Sequence, residues 1–600
     1  MPQALGHMAP PDFFMIASYA VLMLGIGVFF YGRMKRMKDY FSGGNTIPWW
    51  LSGVSFYMSS FSVMAFVVYP GLCYRHGWVG ITLLWVAVPA TLFGMMFFAV
   101  RWRRARVDSP VEYLETRYSP LFRQLCAWQG VPVRMVDDGM KLFATGTFIS
   151  VCAGLDIVES ILIAGGIILL YTFMGGLWAV AVTDFIQFVV LTAGILVVLP
   201  LSIARAGGLS NIFANTPEGF FRLTSAEYRW SYVIPLIALY ALAWSSINWS
   251  LIQRYYCVPK ERDAVKVGAL VIGLYLIGPP IMFFPAIAAT QFLPGIEDAG
   301  RVYPMLCTQL LPAGMLGLAV AAMFAATMST LSSDYNVCAS VLTNDVYKRL
   351  ARPDASQFEL VLVGRLMTLV IGFIALGTAL VMSQGKSEDL FKTMVTLFGI
   401  ATAPVAVPML LGLIWRKATN AGAIAGFAFG LSTGLILYKI SLGGAVEFLG
   451  MAWKPETEEV AFGALFALKM EIVMFLATAL VTCVVMAVAA VVAPASASTR
   501  ARVEQFFQRL LAPIGTLDDD FQTGAAAQSP FMVVGVAILL VGVLLLAVAP
   551  WVGGGQVLVL DLIIGGLLAA VGSAMAWLSA ADAQKRSAIL ETNPSESRLN

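Results

Sequence analysis

"FAATMSTLSSDYN", Phe324 to Asn336, lies inside one of the longest apolar stretches of a 600-residue chain. It holds Thr327, Ser329, Thr330, Ser332, Ser333 and the carboxylate of Asp334, with no basic residue close by in sequence. Ala326, Ser329 and Thr330 follow an i, i+3, i+4 spacing, so they share one helical face. A backbone carbonyl and two hydroxyls make a hard, uncharged oxygen set. Such a set suits Na+ when a facing, locally unwound helix supplies more carbonyls. The same residues also suit simple Ser/Thr packing between membrane helices. The surroundings decide between the two.

Those surroundings are lipid. The chain is 59% hydrophobic and only 12% charged, whereas soluble domains carry roughly 25% charge. Apolar runs of about 20 residues recur from end to end, long enough to cross roughly 30 Å of hydrocarbon. The composition therefore describes an all-α polytopic membrane protein embedded in the lipid bilayer. A net charge of +3 gives no reason to invoke nucleic acid. Seven scattered cysteines show no CxxC and no metal-ligand spacing, and His7 and His76 cannot build a histidine-rich metal or haem site. No P-loop and no nucleophile–base pair is visible, so neither an enzyme, a cofactor, a metal other than sodium nor an obligate protein partner is expected. The first apolar run, Phe13 to Tyr31, is followed by "GRMKRMK" and reads as a retained anchor with a stop-transfer flank.

About fifteen spans are expected, and the positive-inside rule tests that count. The clusters "RMKRMK", "RWRRAR", "QRYYCVPKER", "YKRLAR", "WRK", "TRARVEQFFQR" and "QKRS" all fall on one side. This puts the N-terminus outside and the C-terminus in the cytoplasm.

Five motifs then appear in order: "DYFSGGNTIPWWLSGVSFYMSS" (Asp39–Ser60), "FMGGLWAVAVTDFIQ" (Phe173–Gln187), "NWSLIQR" (Asn248–Arg254), "AAMFAATMSTLSSDYN" (Ala321–Asn336) and "LLGLIWRKATNAGAIAG" (Leu410–Gly426). The set resembles the solute:sodium symporter family, which includes bacterial proline, sugar and sialic-acid transporters. The resemblance covers roughly residues 10–440. It implies a LeuT-like core of two inverted five-helix repeats, the first helix of each broken near mid-membrane. The expected division is residues 1–45 (N-terminus and first span), 46–415 (core, repeats about 48–203 and 230–414), 416–492 (two further spans) and 493–529 (cytoplasmic connector). Residues 530–582 form two C-terminal spans to which no role is attached, and 583–600 a cytoplasmic tail, disordered from Ser587. The connector's "ASASTRARVEQFFQRLLAPIG" suits a helix on the membrane surface or an ordinary solvated linker helix.

By the same resemblance, sodium is held by carbonyls of Met58, Phe61 and Ala326 with hydroxyls of Ser329 and Thr330. Asp334, about a turn nearer the cytoplasm, either attracts departing Na+ or makes a buried interhelical hydrogen bond. Asp184 guides sodium inward or belongs to a second sodium site. Members with that second site tend to have serine where this chain has Ala326, which favours one Na+ per cycle.

Substrate residues are less familiar. Sugar-transporting relatives carry a Glu-Gln pair where Met64 and Ala65 stand, and proline transporters an aspartate where Ser60 stands. Asn248 matches a sugar-contacting asparagine, but Ser250 replaces the nearby gating tyrosine. A separate feature is "VRMVDDGMKLF" (Val133–Phe143), in which Arg134, Asp138 and Lys141 share one face with Asp137 adjacent. At a helix centre such residues cost about 2.5–3.5 kcal/mol each, so they need mutual pairing, water or a charged ligand. Sialic-acid transporters use an arginine on this helix for the substrate carboxylate, and Arg134 falls near that place. The resemblance thus implies a carboxylate-bearing solute. If Asp137 or Asp138 neutralises Arg134, a zwitterion or polyol suits better. A salt-bridged structural network is the remaining alternative. The function implied is a sodium-coupled secondary symporter of the plasma (inner) membrane, importing a small polar organic solute by alternating access. Its rivals are a same-fold transporter that carries an inorganic anion or couples to H+, and a non-transporting solute sensor.

Overall fold

In the computed structural model of the chain, the described residues are 8–31, 45–107, 110–172, 177–386, 389–448, 451–462, 466–517, 531–551 and 556–592. The "GRMKRMK" flank, His7, most of "DYFSGGN" and the "FMGG" of the second motif lie outside them. Helix dominates because a backbone in hydrocarbon must satisfy its own N–H and C=O groups.

The chain opens with α1 (Pro10–Tyr31), then α2 (Trp49–Ser59), α3 (Val63–His76) and α4 (Val79–Arg104). Next come α5 (Pro110–Arg117), α6 (Pro120–Ala153), α7 (Ile157–Tyr171) and α8 (Leu177–Arg205). The second half begins with α9 (Trp230–Ser245), α10 (Trp249–Tyr256), α11 (Glu261–Ala289) and α12 (Met315–Val341). It continues through α13 (Gln357–Met382), α14 (Leu390–Ile414) and α15 (Asn420–Ser441). After a small sheet follow α16 (Met470–Val492), α17 (Ala497–Leu511), α18 (Phe531–Val548) and α19 (Gln556–Thr592).

Two breaks organise this array. α2 and α3 meet at 62° across Ser60–Ser62, and α9 and α10 at 60° across Ser246–Asn248. Neither break holds a proline. Serine and asparagine side chains instead compete for the backbone groups that would continue the helix. Ser60 Oγ donates to Tyr57 O at 2.5 Å, Ser246 Oγ to Leu242 O at 2.5 Å, and Asn248 Oδ1 accepts from Ser250 Oγ at 2.8 Å. Each repeat therefore begins with a broken helix. α6 and α7 are also bent, by 117°. This turn ends on Gly154 at φ 71°, a left-handed conformation natural to glycine, and restarts where Asp156 accepts Val158 N–H at 2.8 Å.

Length and composition give ten helices able to cross a membrane among the described residues, or up to thirteen if each bent pair counts once. The expectation of about fifteen also counts α1 and takes α6 and α7 as two spans.

Three segments differ from the sequence reading. Residues expected to start a span at 463 are instead partly sheet: β1 (Val446–Phe448), β2 (Met451–Lys454), β3 (Glu459–Phe462) and β4 (Phe466–Lys469) form an antiparallel meander, and α16 begins only at Met470. Trp453 and Val460 bury against Ile400, Met470 and Met474, which is why this apolar segment resembled the start of a span. The connector helix α17 is neither a solvated linker nor free on a membrane surface. Val503, Phe507 and Leu510 are buried, Arg106 donates to the carbonyls of Arg509, Ala512 and Pro513, and Arg502 to Tyr118 O. The helix α19 runs on to Thr592, past Ser587.

The last two helices touch backbone to backbone. Gly535 and Gly542 on α18, and Gly565 and Gly572 on α19, recur at heptad spacing and face one another. A Cβ on Gly542 would lie 2.5 Å from Ala569 N, and one on Gly572 2.3 Å from Leu539 N.

Candidate functional site

The two breaks face each other across a cavity of about 170 Å³. Ser60 and Met64 line it from the first break, Asn248 from the second, Arg134 and Lys141 from α6, and Asp334 from α12. Tyr69, Tyr240, Trp244 and Trp249 form its aromatic walls, and the hydroxyls of Tyr69 and Tyr240 stand 3.0 Å apart.

Opposed to the cavity's apolar walls is a dense charge cluster joining α6 to α12. Arg134 donates from Nη1 to Asp334 Oδ1 and from Nη2 to Ile247 O at 3.2 Å, while its Cζ lies 4.9 Å from the centre of the Trp249 ring. Lys141 Nζ reaches Asp137 Oδ2 at 2.7 Å, Asp138 Oδ1 at 3.1 Å and Asp334 Oδ2 at 3.2 Å. Three carboxyl groups thus meet two cations. Asp138 is wholly buried behind Lys141, and its Oδ2 has no hydrogen-bond partner among the described residues. Asp334 is thus an interhelical partner for Arg134 and Lys141.

The residues assigned to sodium sit beside this cavity. Ser329 is buried, and Thr330 lines the cavity while donating to Ala326 O at 3.1 Å. α12 is stitched to the first break by Val63 N–H donating to Thr327 Oγ1 at 3.1 Å. Met58 O accepts Phe61 N–H at 3.0 Å across the break. The side chains of Met58 and Phe61 line a separate apolar cavity of about 450 Å³ between α2, α8 and α11.

Asp184 belongs to a different assembly. Ser55 Oγ donates to its Oδ2 at 2.6 Å, and Arg254 Nη2 lies 3.7 Å from the same oxygen. Arg254 also donates to Ser55 Oγ and Ser59 Oγ, each at 3.0 Å, to Gln253 Oε1 at 2.9 Å and to Ser250 O at 3.2 Å. This latch ties α2 to α10 and both to α8. Sequence reasoning missed it, because Arg254 was counted among the flanking positive charges of "QRYYCVPKER". The structure buries it.

Comparison with known proteins agrees with this architecture. The model of the Sodium:solute symporter family matches residues 40–430. A sodium/sialic acid symporter of Proteus mirabilis is 25% identical over 432 residues, 69% of this chain and 87% of its own length. A sodium/glucose cotransporter of Vibrio parahaemolyticus is 28% identical over 464 residues, 71% of this chain and 84% of its own. The solved structure of a Na+-coupled sialic acid symporter, in a substrate-bound outward-open state, superposes with a TM-score of 0.66 at 23% identity, covering 81% of this chain and 99% of that one. The fold is therefore the LeuT-like one, and this chain belongs to the sodium:solute symporter family.

Proposed function

We propose that the protein is a sodium-coupled symporter that imports a small zwitterionic solute by alternating access across the plasma membrane, with its N-terminus outside. Symport fits the family, the two broken helices and the polar cavity between them. Sodium is held by carbonyls of Met58, Phe61 and Ala326 and hydroxyls of Ser329 and Thr330. One Na+ moves per cycle, since Asp184 is engaged by Ser55 and Arg254 and position 326 offers no hydroxyl. The inward gradient and the membrane potential drive uptake, the potential contributing about 2.3 kcal/mol per charge per 100 mV.

One observation carries the choice of solute: Arg134 already has a carboxylate partner in Asp334. A simple anion would have to displace Asp334 while facing Asp137 as well. A zwitterion matches the wall as it stands, its cation toward Asp137 and Asp334 and its anion toward Arg134 and Lys141. The cavity is smaller than the roughly 300–1,000 Å³ of drug-sized sites, which favours a small solute.

The test is a thermal-shift screen of amino acids and betaines, simple carboxylates and polyols, in Na+ and again in K+. Zwitterions should stabilise the protein in Na+ alone. Arg134→Lys keeps the charge and loses the planar fork, so it should weaken that binding while Na+ still stabilises. Preferential binding of a monoanion, or unchanged solute binding by Arg134→Lys, would overturn the zwitterion reading.

A further inference from the structure

Asp561 lies on α19, within an apolar segment, with no exposure to solvent. Neither of its carboxylate oxygens has a hydrogen-bond partner among the described residues. A lone buried carboxylate is costly when ionised, and the group escapes the cost by holding a proton. Asp12 of α1 adds to that cost, because its charge repels an ionised Asp561.

Asp12 is itself fully engaged. Its Oδ1 accepts Gly314 N–H at 2.6 Å and Gly317 N–H at 2.8 Å, and its Oδ2 accepts Ala9 N–H at 2.9 Å. The first two amides open α12, so Asp12 caps the helix that carries Ser329 and Thr330. The approach is tight: a Cβ on Gly317 would lie 2.3 Å from Asp12 O. The C-terminal hairpin packs on the same corner, with Val548 3.0 Å from a Cβ built on Gly314 and Trp551 edge-on to Phe14. α18 carries no ionisable side chain, and neither do the first three turns of α12. Asp12 is thus the charged group facing Asp561 from the described elements packed there.

We propose that Asp561 is a proton-binding site. It keeps its proton while α19 is seated, and when the proton passes to water its new charge repels Asp12 and loosens the hairpin from α1 and the start of α12. Sodium is a poorer occupant, since the Asp12 oxygens are spent on three amides. Both residues lie outside the matched stretch 40–430, so the device belongs to this chain's additions to the shared core.

Infrared spectroscopy of the full-length protein in nanodiscs reads the proton directly. The wild type at neutral pH should show the C=O stretch of a protonated carboxyl that Asp561→Asn lacks and that vanishes at alkaline pH. Asp12→Asn should lose the band at a lower pH, because the negative charge that favours the protonated form is gone. Unfolding lets Asp561 ionise freely, so the wild type should melt progressively below Asp561→Asn as pH rises from about 5 to about 8. No such band, parallel melting profiles, or a melting difference that follows Na+ instead of pH would each overturn the proposal. One consequence rests on the symport reading: half-saturating Na+ should rise with pH in the wild type and not in Asp561→Asn. The infrared band does not depend on transport, so the two readings fail separately.

Discussion

Replacing Arg254 by methionine should damage the protein more than replacing its partner Asp184 by asparagine. At 3.7 Å the two charges attract by about 4 kcal/mol under the effective screening of a protein interior. Desolvation opposes that gain, so the pair itself adds little net stability, and the cost lies in breaking it one-sidedly. Arg254→Met leaves Asp184 buried, with the Ser55 hydroxyl at 2.6 Å as its remaining described hydrogen bond. The expected loss is about 3–5 kcal/mol. Asp184→Asn leaves Arg254 bonded to Ser55, Ser59, Gln253 and Ser250. That loss should be smaller, about 1–3 kcal/mol. The double variant has no stranded charge and should be more stable than the sum of the two by about 1–3 kcal/mol. Denaturant titrations in lipid nanodiscs measure all three. Functionally, Arg254 holds α2 to α10, so a cysteine at Ser59 should become more reactive to a soluble thiol reagent in Arg254→Met than in the parent. Equal losses for both single variants with an additive double variant would refute the reasoning, as the two side chains would then not be coupled.

Ser329→Ala with Thr330→Ala should raise half-saturating Na+ roughly tenfold or more, since a hydrogen-bond-strength contact to a charge is worth about 1.5–3 kcal/mol; unchanged sodium dependence in a folded double variant would remove both hydroxyls from the site. With the N-terminus outside, a cysteine at Ser587 should react only with reagents that reach the cytoplasm and one at Gly554 only from outside, the reverse labelling meaning a wrong span count. Gly542→Leu should separate α18 from α19, because its first carbon would already sit 2.5 Å from Ala569 N; overpacking of this kind costs about 1–3 kcal/mol or more, read as a lower melting temperature, and a neutral result would mean the hairpin can re-space.

Much of the fold was written in local pattern. The hydroxyls on one face of α12, the apolar runs and the Ser-rich positions of the two breaks are all short-range signals. The charges on α6 were legible as needing partners. What could not be read was which partners they take: Asp334 lies 200 residues from Arg134, and only tertiary packing brings them together. Arg254 was misleading for a similar reason. An arginine near a helix end looks like a flank until a carboxylate from another helix is found beside it. The β1–β4 meander was hidden because its inward residues are as apolar as a span, and strands of three or four residues leave almost no period to detect.

The seating of α17 has a kinematic consequence. Besides Arg106 at the end of α4 and Tyr118 before α6, it engages Arg416 between α14 and α15, where Glu504 lies 3.2 Å away and Phe507 stacks under the guanidinium. The chain just beyond it is pinned to Glu261 at the start of α11, which accepts Ile514 N–H at 2.9 Å while pairing with Arg104. One short helix thus straps together turns drawn from both repeats. Whatever rocks during a transport cycle, these turns must move as a single body. Spin labels placed on them should keep fixed separations in every state, and any hinge has to lie deeper, at the two breaks.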